Sequence, residues 1–230
     1  MRRSLVVSLA LLAIVGSRAA AQTCQGMASF NNGQLQVAGN AQFPEGAKVW
    51  GGSLTYGQPA GIYGGADIST TSFDDLDMSS LGVGVHAGYQ MKLNRASKIS
   101  LCPVARLALG MGPDDESIDL NSSSTDLHFG LALGTEMGAT QQLRILPTAG
   151  LGLQYTKVKA EDTGPGGQTA EASETYGLAR IGVGFVFNQQ ISVRPTVDIP
   201  VGSDFQSDPS FGITVGYNFG SKGVSKARRH

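Results

Sequence analysis

The sequence predicts an all-β protein, an antiparallel up-and-down transmembrane β-barrel of ten strands, with eight as the alternative count. Three observations predict it: large apolar residues alternate with small or polar ones, connections alternate between short and long, and acidic residues gather on the long ones. The clearest segment runs from Ser210 to Phe219. Phe211, Ile213, Val215, Tyr217 and Phe219 are apolar, while Ser210, Gly212, Thr214, Gly216 and Asn218 are small or polar. A period of two gives a strand one face of each kind. The polar face carries few of the charges of a solvated surface, which suits a barrel that is apolar outside and packed with small polar groups inside.

The chain opens with Arg2 and Arg3, a twelve-residue apolar run from Leu5 to Gly16, and Ala19 to Ala21. This is the pattern of a cleaved secretion signal over residues 1–21. The run is well short of the ~20 apolar residues of a membrane-spanning helix, so strands must do any crossing. Residues 22–33 then read as an N-terminal periplasmic segment, 34–219 as the barrel and 220–230 as a basic periplasmic tail. Ala21, Gln22 and Thr23 lack the Leu that a lipoprotein signal places before its cysteine, so Cys24 is not a lipid anchor. Two cysteines in an exported chain point to a disulfide between Cys24 and Cys102, with two buried free thiols as the alternative. Cys102 lies on the inward phase with Ser100, Val104, Arg106 and Ala108, so Cys24 has to reach it from the lumen or its rim. The N-terminal segment would then be pinned to the inner wall near the periplasmic mouth.

Taken in order, the first two segments, Gln34 to Phe43 and Ala47 to Gly57, are the weakest. Val37 to Asn40 is small and polar, and Pro44-Glu45-Gly46 is short for an exterior loop. Eight strands starting at Gly61 would also keep both termini on one side. Gly61 to Ser72 follows, then Ser80 to Leu93, where Leu81, Val83, Val85, Ala87 and Tyr89 alternate with Gly82, Gly84, His86 and Gly88. Lys98 to Gly110 carries Cys102 and Arg106, and Asp126 to Ala139 places Asp126, His128 and Glu136 opposite Leu127, Phe129, Leu131 and Leu133. Leu143 to Lys159, Thr175 to Phe187, Ile191 to Gly202 and the final segment complete the set. Pro103, Pro147, Pro195 and Pro200 fall within strands, where a missing N–H argues against a central strand; three of them lie on the outward phase and read as bulges.

The inward phases collect Asp67, His86, Lys92, Arg106, Glu136, Arg144, Arg180, Arg194 and Asp198. Folding one hairpin about Thr140 sets Glu136 opposite Arg144, and folding another about Gln189 sets Arg180 opposite Asp198. Both are expected as ion pairs of the lumen, because a lone charge in a narrow interior is costly. Barrels near eight strands are just filled by side chains, so the lumen is expected to be small and filled.

Four long connections hold 13 of the 18 acidic residues and no Lys or Arg; Asp74, Asp75, Asp77, Asp114, Asp115, Glu116 and Asp119 are among them. Arg95, Lys98 and the tail residues Lys222, Lys226, Arg228 and Arg229 sit at the other end. The asymmetry puts the long loops at the cell exterior and both termini in the periplasm. With a net charge of −1 and 15% charged residues, the chain offers no basic face for nucleic acid and no disordered composition. No cofactor motif is present, and no D-x-D-x-D-G spacing marks a metal site. The acidic loops could meet lipopolysaccharide through bridging divalent cations.

The signal segment, the alternating strands, the loop asymmetry and a last strand ending Tyr217-Asn218-Phe219 together resemble the small bacterial outer-membrane β-barrels of the OmpX and OmpA type. The ending looks like the signal by which the barrel assembly machinery recognises its clients, although Gly220 to His230 follow it. No peptidoglycan-binding domain is expected after the barrel. The resemblance implies an integral outer-membrane protein with a structural or surface-interaction role and no catalysis, its partners being outer-membrane lipid, lipopolysaccharide and the assembly machinery. Alternatives are a narrow ion or small-solute channel, or a ligand-binding barrel. More remote is a hydrolase: Asp126 and His128 beside Asp75 and Asp77 look like the omptin protease arrangement, and Ser124 beside His128 looks like a lipid hydrolase pair.

Overall fold

Alternation becomes pairing in a computed structural model that describes residues 23–28, 30, 34–58, 61–74, 79–93, 98–112, 120–137, 142–162 and 167–219. The signal segment, the basic tail, Arg95, and the acidic residues Asp75, Asp77, Asp114, Asp115, Glu116 and Asp119 lie outside them. The strands are β1 (Gln34–Phe43), β2 (Ala47–Gly57), β3 (Ile62–Phe73), β4 (Ser79–Tyr89, continued by Met91–Lys92), β5 (Ile99–Met111) and β6 (Leu120–Thr135), then β7 (Leu143–Asp162), β8 (Thr169–Phe187), β9 (Ile191–Val201) and β10 (Ser210–Phe219). Each pairs antiparallel with its chain neighbours, and β1 pairs with β10 from Leu35↔Phe219 to Phe43↔Phe211. The barrel is closed with ten strands rather than eight. Although β1 is poor in apolar residues, lipid offers no water to unpaired backbone groups, so the ladder has to close through it.

The apolar phase faces outward throughout: Leu151 is 72% exposed and Leu153 62%. Aromatic residues rim this band at both levels. At one, Phe43 stands edge-on to Trp50 at 6.0 Å and stacks on Phe211 at 6.5 Å; at the other, Tyr217 stands edge-on to Phe219 at 4.8 Å. Such girdles flank the lipid-facing band of membrane barrels. The level of Phe219 is the turn end, where the short connections lie, apart from Pro44-Glu45-Gly46 between β1 and β2 at the other end. Between β8 and β9, Asn188 and Gln189 have φ of 48° and 59°, and the Gln190 N–H donates to the Phe187 carbonyl at 3.0 Å, forming a type I′ turn.

The prolines do not make the expected bulges. Pairing of β4 with β5 passes from Gly88↔Val104 to Met91↔Leu101 in unchanged register, leaving only a gap where Pro103 lacks an N–H. Likewise β9 skips Arg194 and Pro195 against β8 between Val193↔Phe185 and Thr196↔Gly182. No residue is inserted in either place.

A second difference lies at the other end of the barrel. With 16, 20 and 19 residues, β6, β7 and β8 far exceed the ~9–11 that cross a bilayer. Their ladders run on to Leu120↔Asp162 and Glu161↔Thr169, so parts of 112–125 and 160–174, expected as loops, are strand. These three strands form a polar ribbon, and that end is the ribbon end. Ser122-Ser123-Ser124 and Lys157-Val158-Lys159 carry no apolar phase because neither face meets lipid or core. Ion pairs supply order instead: Lys157 reaches Glu171 of the neighbouring strand at 2.8 Å, and Lys159 reaches Glu161 of its own strand at 3.0 Å.

Candidate functional site: the lumen and its floor

Register gathers the inward polar residues into one belt. Successive partners round the wall are Thr55, Gly65, His86, Arg106, His128, Gln154 and Tyr176. Arg106 binds Asp67, and the His86 ring lies between Asp67 (Nδ1 to Oδ2, 3.3 Å) and Thr55 (Nε2 to Oγ1, 3.0 Å). Gly65 makes that bridge possible, since a Cβ there would sit 2.9 Å from the imidazole and 2.1 Å from the Leu54 carbonyl. On the opposite wall Asp126 accepts hydrogen bonds from Thr156 Oγ1 at 2.6 Å and Gln154 Nε2 at 3.3 Å. The Nδ1 atom of His128 is buried without a partner. Asp126 is thus engaged by β7 rather than by His128, and Asp75 and Asp77 lie outside the described residues. Among the described residues no three His, Cys, Asp or Glu side chains converge to hold a metal ion.

The two expected ion pairs differ in register. Asp198 lies directly opposite Arg180, and the guanidinium binds it through two bonds of 2.5 Å. The bridge Met137↔Ile145 moves the other hairpin by two residues, setting Glu136 opposite Leu146. Arg144 then reaches Glu136 diagonally, with Nε 3.7 Å from Oε1.

The turn end of the lumen is occupied by the N-terminal segment. Thr23–Gln25 form one 3-10 turn and the chain continues inside the wall through Phe30. A disulfide joins Cys24 to Cys102 of β5, with their Cα atoms 6.1 Å apart. The segment set apart as 22–33 is therefore, over its described residues, packed within the barrel. Glycines of the wall hold the space for it. A Cβ on Gly134 would lie 2.1 Å from the Thr23 carbonyl oxygen, one on Gly184 2.0 Å from that of Gly26, and one on Gly57 2.0 Å from the Phe30 ring. Ala28 packs against the inward Leu146 and Val186. Arg194 Nη1 donates to the Gln25 carbonyl at 2.5 Å, and Asn218 Nδ2 to that of Ala28 at 3.3 Å, while Gln36 Nε2 donates to Asn218 Oδ1 at 2.5 Å.

Above this floor lies a cavity of about 400 Å³, bounded below by Cys24, Gln25 and Met27 and walled by Asp67, His86, Arg106, His128, Arg180 and Arg194. Beside the expected ion pairs the lumen thus holds this cavity and, at the turn end, main chain, because inward Gly and Ser leave room that side chains would otherwise take. Sequence reasoning located Cys24 and Cys102 but missed Met27, Phe30, Gln36 and Asn218. The inward glycines Gly134, Gly184 and Gly216 at one level were the available signal. Tyr217 and Phe219 of the expected assembly signal face outward, 41% and 50% exposed.

The family model described as outer membrane protein beta-barrel domain matches residues 7–219. No curated protein matches the sequence. Among solved structures the chain is similar to the N-terminal β-barrel domain of Pseudomonas aeruginosa OprF, at 14% identity over 82% of this chain and 98% of that one, with a TM-score of 0.39. It is similar to Ail, the attachment invasion locus protein of Yersinia pestis, at 12% identity over 81% and 97%, with a TM-score of 0.41. The outer membrane protease OmpT of Escherichia coli is similar at 9% identity over 81% and 93%, with a TM-score of 0.45.

Proposed function

Because the chain belongs to the outer-membrane β-barrel family, we propose that it is a closed, non-catalytic barrel whose work is done at the cell surface. The observation that carries this reading is the floor: Thr23, Cys24, Met27, Ala28 and Phe30 lie buried within the lumen at the turn end, where they obstruct it. The turn end faces the periplasm and the polar ribbon of β6–β8 stands outside, where it meets lipopolysaccharide and other surface partners. Outward Tyr217 and Phe219 form the aromatic end by which the assembly machinery takes up the chain and then join the periplasmic girdle. The absence of catalysis is supported by Asp126, whose carboxylate is engaged by Gln154 and Thr156. Planar-bilayer recording of the oxidised, full-length protein tests the reading. No reproducible openings are expected; frequent ion-selective steps would overturn it.

A further inference from the structure

We propose that the segment Thr23 to Phe30 is a latched plug, and that the barrel behind it is a channel closed by this segment alone. The inference rests on the closed-barrel reading and says what does the closing. Where the peptide passes, the wall carries small side chains, Gly57, Gly134, Gly184 and Gly216 with Ser100 and Ser192, set between larger inward ones such as Leu146, Val186, Asn218 and Arg194. At that level the peptide itself is the filling. Withdrawn, it leaves a passage of its own cross-section, continuous with the 400 Å³ cavity already present above it.

The attachment of the plug is separable from the barrel. Its described residues pair with no strand, and the ladder of the wall begins only at Gln34. Its apolar hold is three side chains: Ala28 against Leu146 and Val186, Met27 beside Gly216 and the Phe30 ring beside Gly57, each no more than 4% exposed. Its polar hold is a few bonds, from Arg194 to Gln25, Asn218 to Ala28, and the longer contact of 3.5 Å from Ser192 Oγ to Met27 Sδ. What makes the closure permanent is covalent. The disulfide ties the first turn of the plug to an inward position of β5, where Cys102 is 0% exposed and Cys24 5%, so the latch is sheltered by the plug it holds.

The test is single-channel recording on the full chain in planar bilayers. The oxidised wild type should be silent. Cys24→Ser/Cys102→Ser keeps the plug but releases its latch, and Gly184→Val drives a methyl into the Gly26 backbone; each should show discrete openings that the wild type lacks, with the same step size. Both variants are first shown to be folded by their unboiled gel migration. Should either misfold, wild type already seated in the bilayer and exposed to a dithiol reductant supplies the same measurement. The protein disulfide becomes two thiols, the dithiol becomes a disulfide, and openings should appear, then vanish on reoxidation. Folded variants and reduced protein as silent as the wild type would overturn the plug while leaving the closed-barrel reading intact. Equal conductance in the oxidised wild type would overturn both.

Discussion

The Asp198 side chain is 11% exposed, whereas the Arg180 side chain that covers it is 43% exposed, and the asymmetry decides what each group is worth. Arg180→Ala strands a buried carboxylate. The loss should be about 2 kcal/mol, below the ~3–5 of a fully buried pair because lumen water reaches one partner. Arg180→Ala/Asp198→Ala should recover most of it, read from urea unfolding of the barrel in lipid vesicles; a double variant worse than the single would refute the coupling. Outside the membrane, Glu174 fastens the connection after β9, accepting hydrogen bonds from Ser203 Oγ at 2.7 Å, from Phe205 N–H at 3.2 Å and from the Asp204 N–H. The Asp204 N–H foremost holds its carboxyl below the ordinary glutamate value. A lowered folded value means that the fastening is complete above the usual glutamate range and is lost as pH falls through the depressed value. Protection of the Asp204 and Phe205 amides, measured against the intrinsic rate at each pH, should accordingly fall in acid, and Glu174→Gln should remove that pH dependence. Arg180 with Asp198 was readable because the turn at Asn188 and Gln189 fixes the pivot of its hairpin. Glu136 with Arg144 was displaced because the bridge Met137↔Ile145 shifts the register of its hairpin by two residues.

At the scale of elements, legibility follows contact with lipid. Strands β3 to β5, β9 and β10 show their period because one face must be apolar, and their expected and observed bounds agree within a few residues. The projecting parts of β6, β7 and β8 were read as loops since a ribbon with water on both faces imposes no pattern on its side chains. The packing of the N-terminal segment was legible only in part: the disulfide placed it at the inner wall, while the glycines that admit it look like ordinary small inward residues. The ribbon gives a direct check on orientation. Lys48, Lys157 and Lys159 lie at the ribbon end with side chains 53%, 40% and 40% exposed. A membrane-impermeant amine reagent applied to intact cells should label all three and spare Lys92 and Lys98 at the turn end until the outer membrane is breached. Labelling of the second set alone would invert the proposed topology.

At the scale of the molecule, two kinds of closure act in parallel, and they can be separated. The ladder from β1 to β10 is continuous, so no strand can leave without breaking two rows of hydrogen bonds in a medium that offers no replacement. The disulfide spans 78 residues of chain from Cys24 to Cys102, and in the chain-entropy account a loop of that length contributes about 4.5 kcal/mol by restricting the unfolded ensemble. Loss of the disulfide should therefore lower the denaturant midpoint without dissolving the barrel, because the ladder does not run through it. The folded protein should run differently on a detergent gel before and after boiling. Cys24→Ser/Cys102→Ser should keep that shift and lose it at a lower temperature or urea concentration than the wild type. A variant that shows no unboiled folded band would mean that the N-terminal segment is required to assemble the barrel, since closure of the ladder would then depend on what fills it.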